Sequence, residues 1–255
     1  MSDSACELKL KNPPIVEVVL DIDCDFRPSF DLTEVEGSLR DALRETYPKL
    51  RQQLVQEHTI EATEAEAKHA VRHTRQALQF VTEDGKQLVQ ARIGGFSFNR
   101  LAPYSTLDDY MAEIERTWTI FMRLAKPVTI RRVSLRTINR LVFPLEENGS
   151  VELDHYLKNV PKLPDEDGME GTGFLSQYSA IEKGTRNSLT VVLTTQPGGA
   201  KDYPVIFDIN VSADEVSVAE PSDWLGITKI IESLRCLKNR VFKNTITSRC
   251  LSLYQ

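Results

Sequence analysis

The stretch VTIRRVSLRTINRLVFP, residues 128–144, alternates apolar and polar side chains as a long β-strand does. If the strand between Arg131 and Phe143 has no bulge, its side chains divide between two faces. One face then carries Arg132, Ser134, Arg136, Ile138 and Arg140, and the other carries Val133, Leu135, Thr137, Asn139 and Leu141. The pattern therefore predicts a strand with three arginines in a row on one side.

Further strands and helices precede this strand in the chain. Alternation over residues 15–26 predicts a half-buried strand, and residues 75–101 predict a small antiparallel meander. Apolar residues at steps of three and four predict helices over residues 32–47 and 107–125. Residues 49–73 are highly charged and have few large apolar side chains, so they predict a solvated connection, helical or mobile.

The part of the chain that follows the strand divides into a connection and a second group of elements. Residues 146–172 are polar and punctuated by proline and glycine, which is typical of a linker. Residues 174–196 predict a hairpin, residues 203–213 another strand, and a long helix begins at about Asp223. The C-terminal part therefore has the order β-β-β-α.

The order of predicted elements favours an α+β fold. It reads β-α-β-β-β-α-β, linker, β-β-β-α, which predicts antiparallel sheets in two lobes, with helices packed on one face and a long C-terminal helix. The predicted boundaries are 1–145 for the N-terminal lobe, 146–172 for the linker and 173–255 for the C-terminal lobe. One continuous domain is the alternative.

Composition excludes several classes of protein. The chain has 255 residues, 41% hydrophobic and 27% charged, which is ordinary for a globular protein that folds alone. Its net charge of −6 argues against broad affinity for nucleic acid or anionic membrane. The four cysteines are scattered, and neither a signal peptide nor a long apolar run is present. We therefore expect a cytoplasmic protein without a disulfide framework.

No stretch of the sequence carries a catalytic signature. Asp21, Asp23 and Asp25 project from one side of a strand, as carboxylates that hold Mg²⁺ can do. No glycine-rich phosphate loop lies nearby, and charged strand edges also prevent mispairing, so a structural role is favoured. We predict no metal and no cofactor, and the sequence favours a protein that is not an enzyme.

Two Asn-Arg pairs stand inside predicted strands, Asn99-Arg100 in FSFNRLAPY (96–104) and Asn139-Arg140 in the long strand. An antiparallel sheet could bring both pairs to the same end of one lobe, as one polar cluster. Guanidinium groups bind phosphate or carboxylate, and they equally form structural ion pairs, so both roles stay open. The candidate ligand-binding or partner-binding residues are Asn99, Arg100, Arg132, Arg136, Asn139, Arg140, Arg235 and Lys238.

Arg235 and Lys238 belong to a basic C-terminal helix on an acidic protein. Its cations are Lys229, Arg235, Lys238, Arg240, Lys243 and Arg249. Cations near a helix C-terminus complement the helix dipole, and this structural interpretation is favoured. The alternative is contact with an acidic protein or nucleic acid.

Four stretches resemble a sporadically distributed, uncharacterised bacterial protein family of about this length. They are NPPIVEVVL (12–20), FSFNRLAPY (96–104), RRVSLRTINRL (131–141) and VFKNTITSRCLSLY (241–254). The family patterns are P-P-x-x-E-V, F-S-x-N-R-L-x-P-Y and R-x-x-L-R-Y-I-N-R, and Thr137 departs from the last of them. The resemblance implies no activity, cofactor or catalytic residue.

Two functions follow as expectations. The first is a non-enzymatic accessory or interaction protein with a protein partner, a component of a bacterial phage-defence or toxin-antitoxin system. The alternative is a phosphate-ligand binder or phosphoryl-transfer enzyme that uses Arg100, Arg132, Arg136 and Arg140, with Asp21 and Asp23 as metal ligands. Convergence of these side chains in one pocket would favour the second function, and their separation across two sheet faces the first. The sequence predicts no particular oligomeric state.

Overall fold

The computed structural model describes residues 8, 10–62, 67–147, 149–161, 171–199, 202–214 and 220–255, with the backbone alone at 56–74. The strands are β1 (Ile15–Asp25), β2 (Lys49–Ala62), β3 (Ala67–Val81), β4 (Gln87–Arg92), β5 (Gly95–Leu101), β6 (Thr129–Pro144), β7 (Leu175–Ile181), β8 (Ser188–Thr195) and β9 (Asp202–Asp214). The helices are α1 (Thr33–Leu43), α2 (Asp108–Ala125), α3 (Trp224–Thr245) and α4 (Ser248–Ser252), with a short 3-10 helix at Leu153–His155.

All nine strands form one antiparallel sheet in the order β2-β3-β4-β5-β1-β6-β9-β8-β7. The predicted α+β class, the antiparallel pairing and the long C-terminal helix are confirmed. The prediction of two lobes is wrong, because β6 and β9 pair along their whole length, from Arg132 opposite Asp214 to Pro144 opposite Asp202. This ladder joins the first and second halves of the chain in a single sheet.

The predicted connection at residues 49–73 is also wrong. These residues include all of β2 and the first half of β3, which pair with each other from Lys49 opposite Val81 to Ala62 opposite Ala67. β2 is the outermost strand, and residues 51–55 are all exposed. An edge strand exposed on both faces needs no apolar side, so the charged sequence lacked the alternation by which strands are recognised.

The helices cover one face of the sheet. Phe96 of β5 packs edge-on against Trp118 of α2, with ring centroids 5.6 Å apart. Phe207 of β9 stacks on Phe242 of α3 at 5.5 Å. The strand registers place Phe96 and Phe207 on the same face, together with Val133 of β6. This covered side contains the hydrophobic core, and we call it the core face.

Periodic apolar residues explain why the helices pack there. α2 buries Ile114, Trp118, Phe121 and Ala125, and α3 buries Ile227, Ile231, Leu234 and Phe242 at near-regular steps of four. The side chain of Asp223 accepts a hydrogen bond from the backbone N–H of Gly226 at 2.9 Å and so caps α3. No helix in the described part of the chain is both long and apolar enough to span a membrane.

The opposite face of the sheet, which we call the open face, is polar. A chain of side-chain hydrogen bonds crosses four strands, from Gln79 to Gln90 at 3.0 Å, from Gln90 to Asn99 at 2.9 Å and from Asn99 to Glu17 at 2.8 Å. The alternation predicted for β6 is therefore present, with mainly apolar side chains on the core face and mainly polar side chains on the open face.

The cysteines differ from expectation in one respect. Cys24 and Cys250 are free and buried. Cys236 on α3 is disulfide-bonded. The chain therefore contains a disulfide bond, although the scattered cysteines predicted none.

Truncation of Trp118 tests the core face. The side chain is 1% exposed, and its indole N–H donates to the carbonyl oxygen of Pro221 at 3.1 Å. We expect Trp118→Ala to lower the free energy of unfolding by roughly 3–5 kcal/mol in urea denaturation, because it leaves a large cavity. The matched control is Leu225→Ala, since Leu225 is 67% exposed, and its loss should stay within about 0.5 kcal/mol. Equal losses in the two variants would contradict the assigned packing.

Candidate ligand-binding pocket

The arginines of β6 are held by carboxylates of the neighbouring strand. The Arg136 guanidinium donates to both oxygens of Asp208, with Nε at 2.9 Å from Oδ1 and 3.1 Å from Oδ2. Arg132 lies 3.2 Å from Asp214, also on β9, and Arg140 is exposed further along the strand. These side chains share the open face, as the sequence predicted, and two of the three are committed to ion pairs.

The two Asn-Arg pairs do not form the expected cluster. Neighbouring residues of a strand point to opposite faces, so each pair is split. Asn99 and Arg140 lie on the open face, whereas Arg100 and Asn139 lie on the core face. The Asn139 amide donates to the carbonyl oxygen of Phe207 at 2.9 Å, which is a structural role.

Arg100 packs on an aromatic pair. Its guanidinium carbon lies 5.2 Å from the centre of the Tyr110 ring, and Tyr110 stacks on Tyr104 at 5.7 Å. A long hydrogen bond of 3.5 Å joins Arg100 Nη2 to the carbonyl oxygen of Pro103. Arg100 thus supports the turn after β5, which carries Tyr104 towards α3.

The aspartates of β1 are paired on their strand face. Asp23 lies 2.7 Å from Arg92, and Asp21 accepts a hydrogen bond from Ser97. Asp25 accepts from the Thr129 hydroxyl at 2.7 Å. No group of three or more histidine, cysteine, aspartate or glutamate side chains arranged to hold a metal ion occurs among the described residues.

Two cations of the C-terminal helix form ion pairs with other elements of the fold. Arg235 forms a two-pronged ion pair with Asp108 of α2, at 2.6 Å and 2.8 Å. Arg240 binds Glu182, in the turn between β7 and β8. These contacts fasten α3 to the rest of the fold, so they explain much of the local excess of positive charge.

Lys238 differs from those cations, because it lies in line with the buried residues of α3. It follows Leu234 and precedes Phe242, each one turn away. Its ammonium group makes no hydrogen bond or ion pair within the described part of the chain. Burial, together with the smaller effect of the nearby charge of Arg235, lowers the pKa of Lys238 from 10.5 to about 8.

Lys238 lines a cavity of about 110 Å³ between α3, the core face of β1 and β6, and the turn that contains Tyr104. Much of the wall is apolar, and it includes Leu10, Ile15, Val18, Leu107 and Leu135. The polar part of the wall comes from Ser105, Thr106, Asp108, Thr137, Arg235, Lys238 and Asn239, and Asp108 is paired with Arg235. A mostly apolar pocket with a few convergent polar groups is the usual form of a small-molecule site.

Thr137 supplies an independent indication of a ligand. Its side chain is 2% exposed, and its hydroxyl oxygen has no hydrogen-bond partner among the described residues. A buried hydroxyl without a partner is destabilising, because it loses its hydrogen bonds to water and gains none. A bound molecule that offers an acceptor would satisfy both Thr137 and Lys238.

Two larger clefts lie elsewhere, at one end of the sheet. Their volumes are about 550 Å³ and 450 Å³, and both are bordered by Leu145, Gly149 and Tyr203. Neither contains a basic side chain, and the charged residues of their walls are acidic. The pocket at Lys238 is therefore the better candidate for a specific site.

The sequence contained signals for this pocket, but an interpretation based on the excess of cations in the C-terminal helix missed them. Lys238 and Arg235 were candidates as part of a basic helix, without regard to which face each residue occupies. The spacing of Lys238 from Ile227, Ile231 and Leu234 already places it on the apolar stripe. Thr137 was placed on the apolar side of β6, but nothing in the sequence showed that α3 would cross there.

The lowered pKa of Lys238 predicts how the free energy of unfolding depends on pH. With a folded-state pKa near 8 and an ordinary value of 10.5, Lys238 binds fewer protons in the folded than in the unfolded state between these pH values. The free energy of unfolding should therefore rise between about pH 8 and pH 10.5 by roughly 3 kcal/mol in total, of which about 2 kcal/mol is reached by pH 9.5. Urea unfolding at pH 7 and pH 9.5 measures this rise.

Lys238→Met removes the titrating group and keeps the side-chain volume. We expect this variant to be more stable than the parent at pH 7 and the difference to shrink at pH 9.5. Lys229→Met is the matched control, because Lys229 is exposed on the same helix and should leave the slope unchanged. If the free energy of unfolding changes with pH in the same way in the parent and in Lys238→Met, the Lys238 amine is not desolvated in the folded protein.

Comparison with known proteins does not identify the chain. No protein-family model and no curated protein matches it. The resemblance to an uncharacterised bacterial family therefore stays a prediction.

Proposed function

We propose that the protein is a non-enzymatic binding protein whose pocket at Lys238 holds a small carboxylate with a short apolar tail. The observation that carries this proposal is the lysine ammonium without a counter-ion in a cavity that also contains the unpartnered Thr137 hydroxyl. A carboxylate supplies the missing charge and accepts the hydrogen bond in one group.

The charge of the site favours a carboxylate over a phosphate. Arg235 also borders the cavity, but its guanidinium fork is occupied by Asp108. Lys238 is therefore the one cation of the described wall that has no acidic partner. A single positive charge matches a carboxylate, whereas phosphate dianions are usually held by arginine forks or by a helix N-terminus.

The size and apolar wall of the cavity limit the rest of the ligand. Its 110 Å³ correspond to about four water molecules at their share of liquid volume. The side chains of Leu10, Ile15 and Leu135 line part of this space and favour apolar groups there. Each methylene buried there contributes about 0.8 kcal/mol, so affinity should increase with tail length until the cavity is full.

The alternative of phosphoryl transfer lacks a common site. Arg132, Arg136 and Arg140 lie on the open face, and Arg100 lies on the core face. Separation across two faces favours the non-enzymatic expectation. The chosen site uses Arg235 and Lys238, which the sequence proposed as ligand-binding or partner-binding residues.

The biological setting is proposed from the family resemblance. A protein partner, and a role in bacterial phage defence or a toxin-antitoxin system, stay predictions that rest on the family resemblance. We keep the cytoplasm as the proposed location, although the disulfide bond of Cys236 is uncommon in a reducing compartment.

Titration calorimetry with acetate, propionate and butyrate tests the proposed ligand class. We expect saturable binding at pH 7, tightest for the longest tail that fits, and no comparable binding of inorganic phosphate. Lys238→Met should lose binding at least tenfold, Thr137→Val about fivefold through one hydrogen bond, and the control Lys229→Met not at all. Butyrate binding unchanged in Lys238→Met, or tighter binding of phosphate, would contradict the proposal.

The pH dependence of binding provides a second test. Since the pKa of Lys238 in the free protein is about 8, the amine loses its charge above that pH. Butyrate affinity should then fall by up to about tenfold for each further pH unit. Affinity that stays constant to pH 10 would mean that another group binds the carboxylate.

A further inference from the structure

The two edges of the sheet differ in how they are protected. β2 carries Lys49 and Arg51, and its pairing with β3 is interrupted between Gln53 and Leu54. Charged side chains and irregular pairing are the usual devices that prevent an edge strand from adding another strand. The β2 edge is therefore protected.

The β7 edge has none of these devices. Its sequence LSQYSAI contains no charged residue, proline or glycine, and all seven residues pair with β8 without a register shift. Leu175 and Ile181 are 71% and 54% exposed at the two ends of the strand. No described strand pairs with the outer side of β7. Its outer row of backbone N–H and C=O groups is thus available to a further strand.

We propose that β7 pairs antiparallel with the β7 of a second copy of this chain, about a two-fold axis at Tyr178. In this register Leu175 of each copy lies opposite Ile181 of the other, so both exposed apolar side chains gain an apolar neighbour. Gln177 lies opposite Ser179, and Ser176 lies opposite Ala180. The strand is therefore complementary to itself at every position.

The faces of the sheet agree with this pairing. Leu175 lies opposite Thr194, Thr194 lies opposite Ile206, and Ile206 lies opposite Arg140. Directly opposed residues share a face, so Leu175 lies on the open face with Arg140. Ile181 lies on the same face, because it is an even number of residues away. The joined sheet would keep all helices of both copies on one side and all polar ladders on the other. An unrelated partner strand would match this pattern only by chance, which favours a second copy.

The predicted interface is small. A strand of seven residues is about 23 Å long, so its pairing buries less than a standard protein interface. We therefore expect a dimer that dissociates on dilution, with a dissociation constant in the micromolar range. Sedimentation velocity between about 1 and 100 µM should show the mass rise from 28.9 kDa towards twice that value. A monomer throughout this range would overturn the proposal.

Charge substitutions test the register. Gln177→Lys with Ser179→Lys places like charges opposite each other at two positions, and we expect dimerisation to weaken at least tenfold. Gln177→Glu with Ser179→Lys changes the same positions but places opposite charges together, and we expect the dimer to return and to weaken with added salt. Both positions are exposed, and a cooperative unfolding transition in urea reports whether each variant is folded.

The other edge supplies the control. Gln53→Lys, at an exposed position of β2, should leave the dimer unchanged. A dimer that persists in the double lysine variant would place the interface elsewhere. If Gln177→Glu with Ser179→Lys unfolds cooperatively but does not dimerise, the proposed register is wrong. Neither result bears on the ligand of the Lys238 pocket.

Discussion

The structure depends on one constraint, that a sheet of nine strands is covered by helices on a single face. Each central strand must therefore turn its apolar side chains to the core face and its polar side chains to the open face. Leu20, Leu135 and Phe207 obey this rule and are fully or almost fully buried. The hydrogen-bond chain from Gln79 to Glu17 and the ion pairs of the β6 arginines obey it on the other side. The arginines that first suggested a binding site are thus mainly parts of the open face.

The informative residues are those that break the rule. Asn139 is polar on the core face, but its amide bonds to the backbone of the adjacent strand. Thr137 is also on the core side, and its buried hydroxyl has no hydrogen-bond partner among the described residues, while the half-buried Lys238 borders the same cavity. A fold tolerates such groups at a loss of stability, which is why unsatisfied buried polar groups so often mark functional sites. The cavity between these two residues makes a ligand the simplest explanation.

The parts of the fold and of the pocket that could be predicted are those encoded by a local sequence pattern. Alternation in β6 and the apolar stripe of α2 repeat within a few residues, so the strand faces and the helices followed from the sequence. The β6 and β9 pairing joins segments about 70 residues apart, as in Ile138 opposite Asp208, and no local pattern encodes it. Two lobes were predicted for that reason. The pocket needed the same tertiary information, because Thr137 becomes a binding candidate only where α3 crosses β6.

The central claim is that the Lys238 ammonium group is desolvated in the free protein and binds the carboxylate of a ligand. Nuclear magnetic resonance titration of the lysine side-chain signals, with the Lys238 signal assigned by its absence from Lys238→Met, measures this directly. The account predicts a pKa of about 8 in the free protein and a higher value when butyrate is bound. A pKa near the ordinary 10.5 in the free protein, unchanged by butyrate, would contradict it.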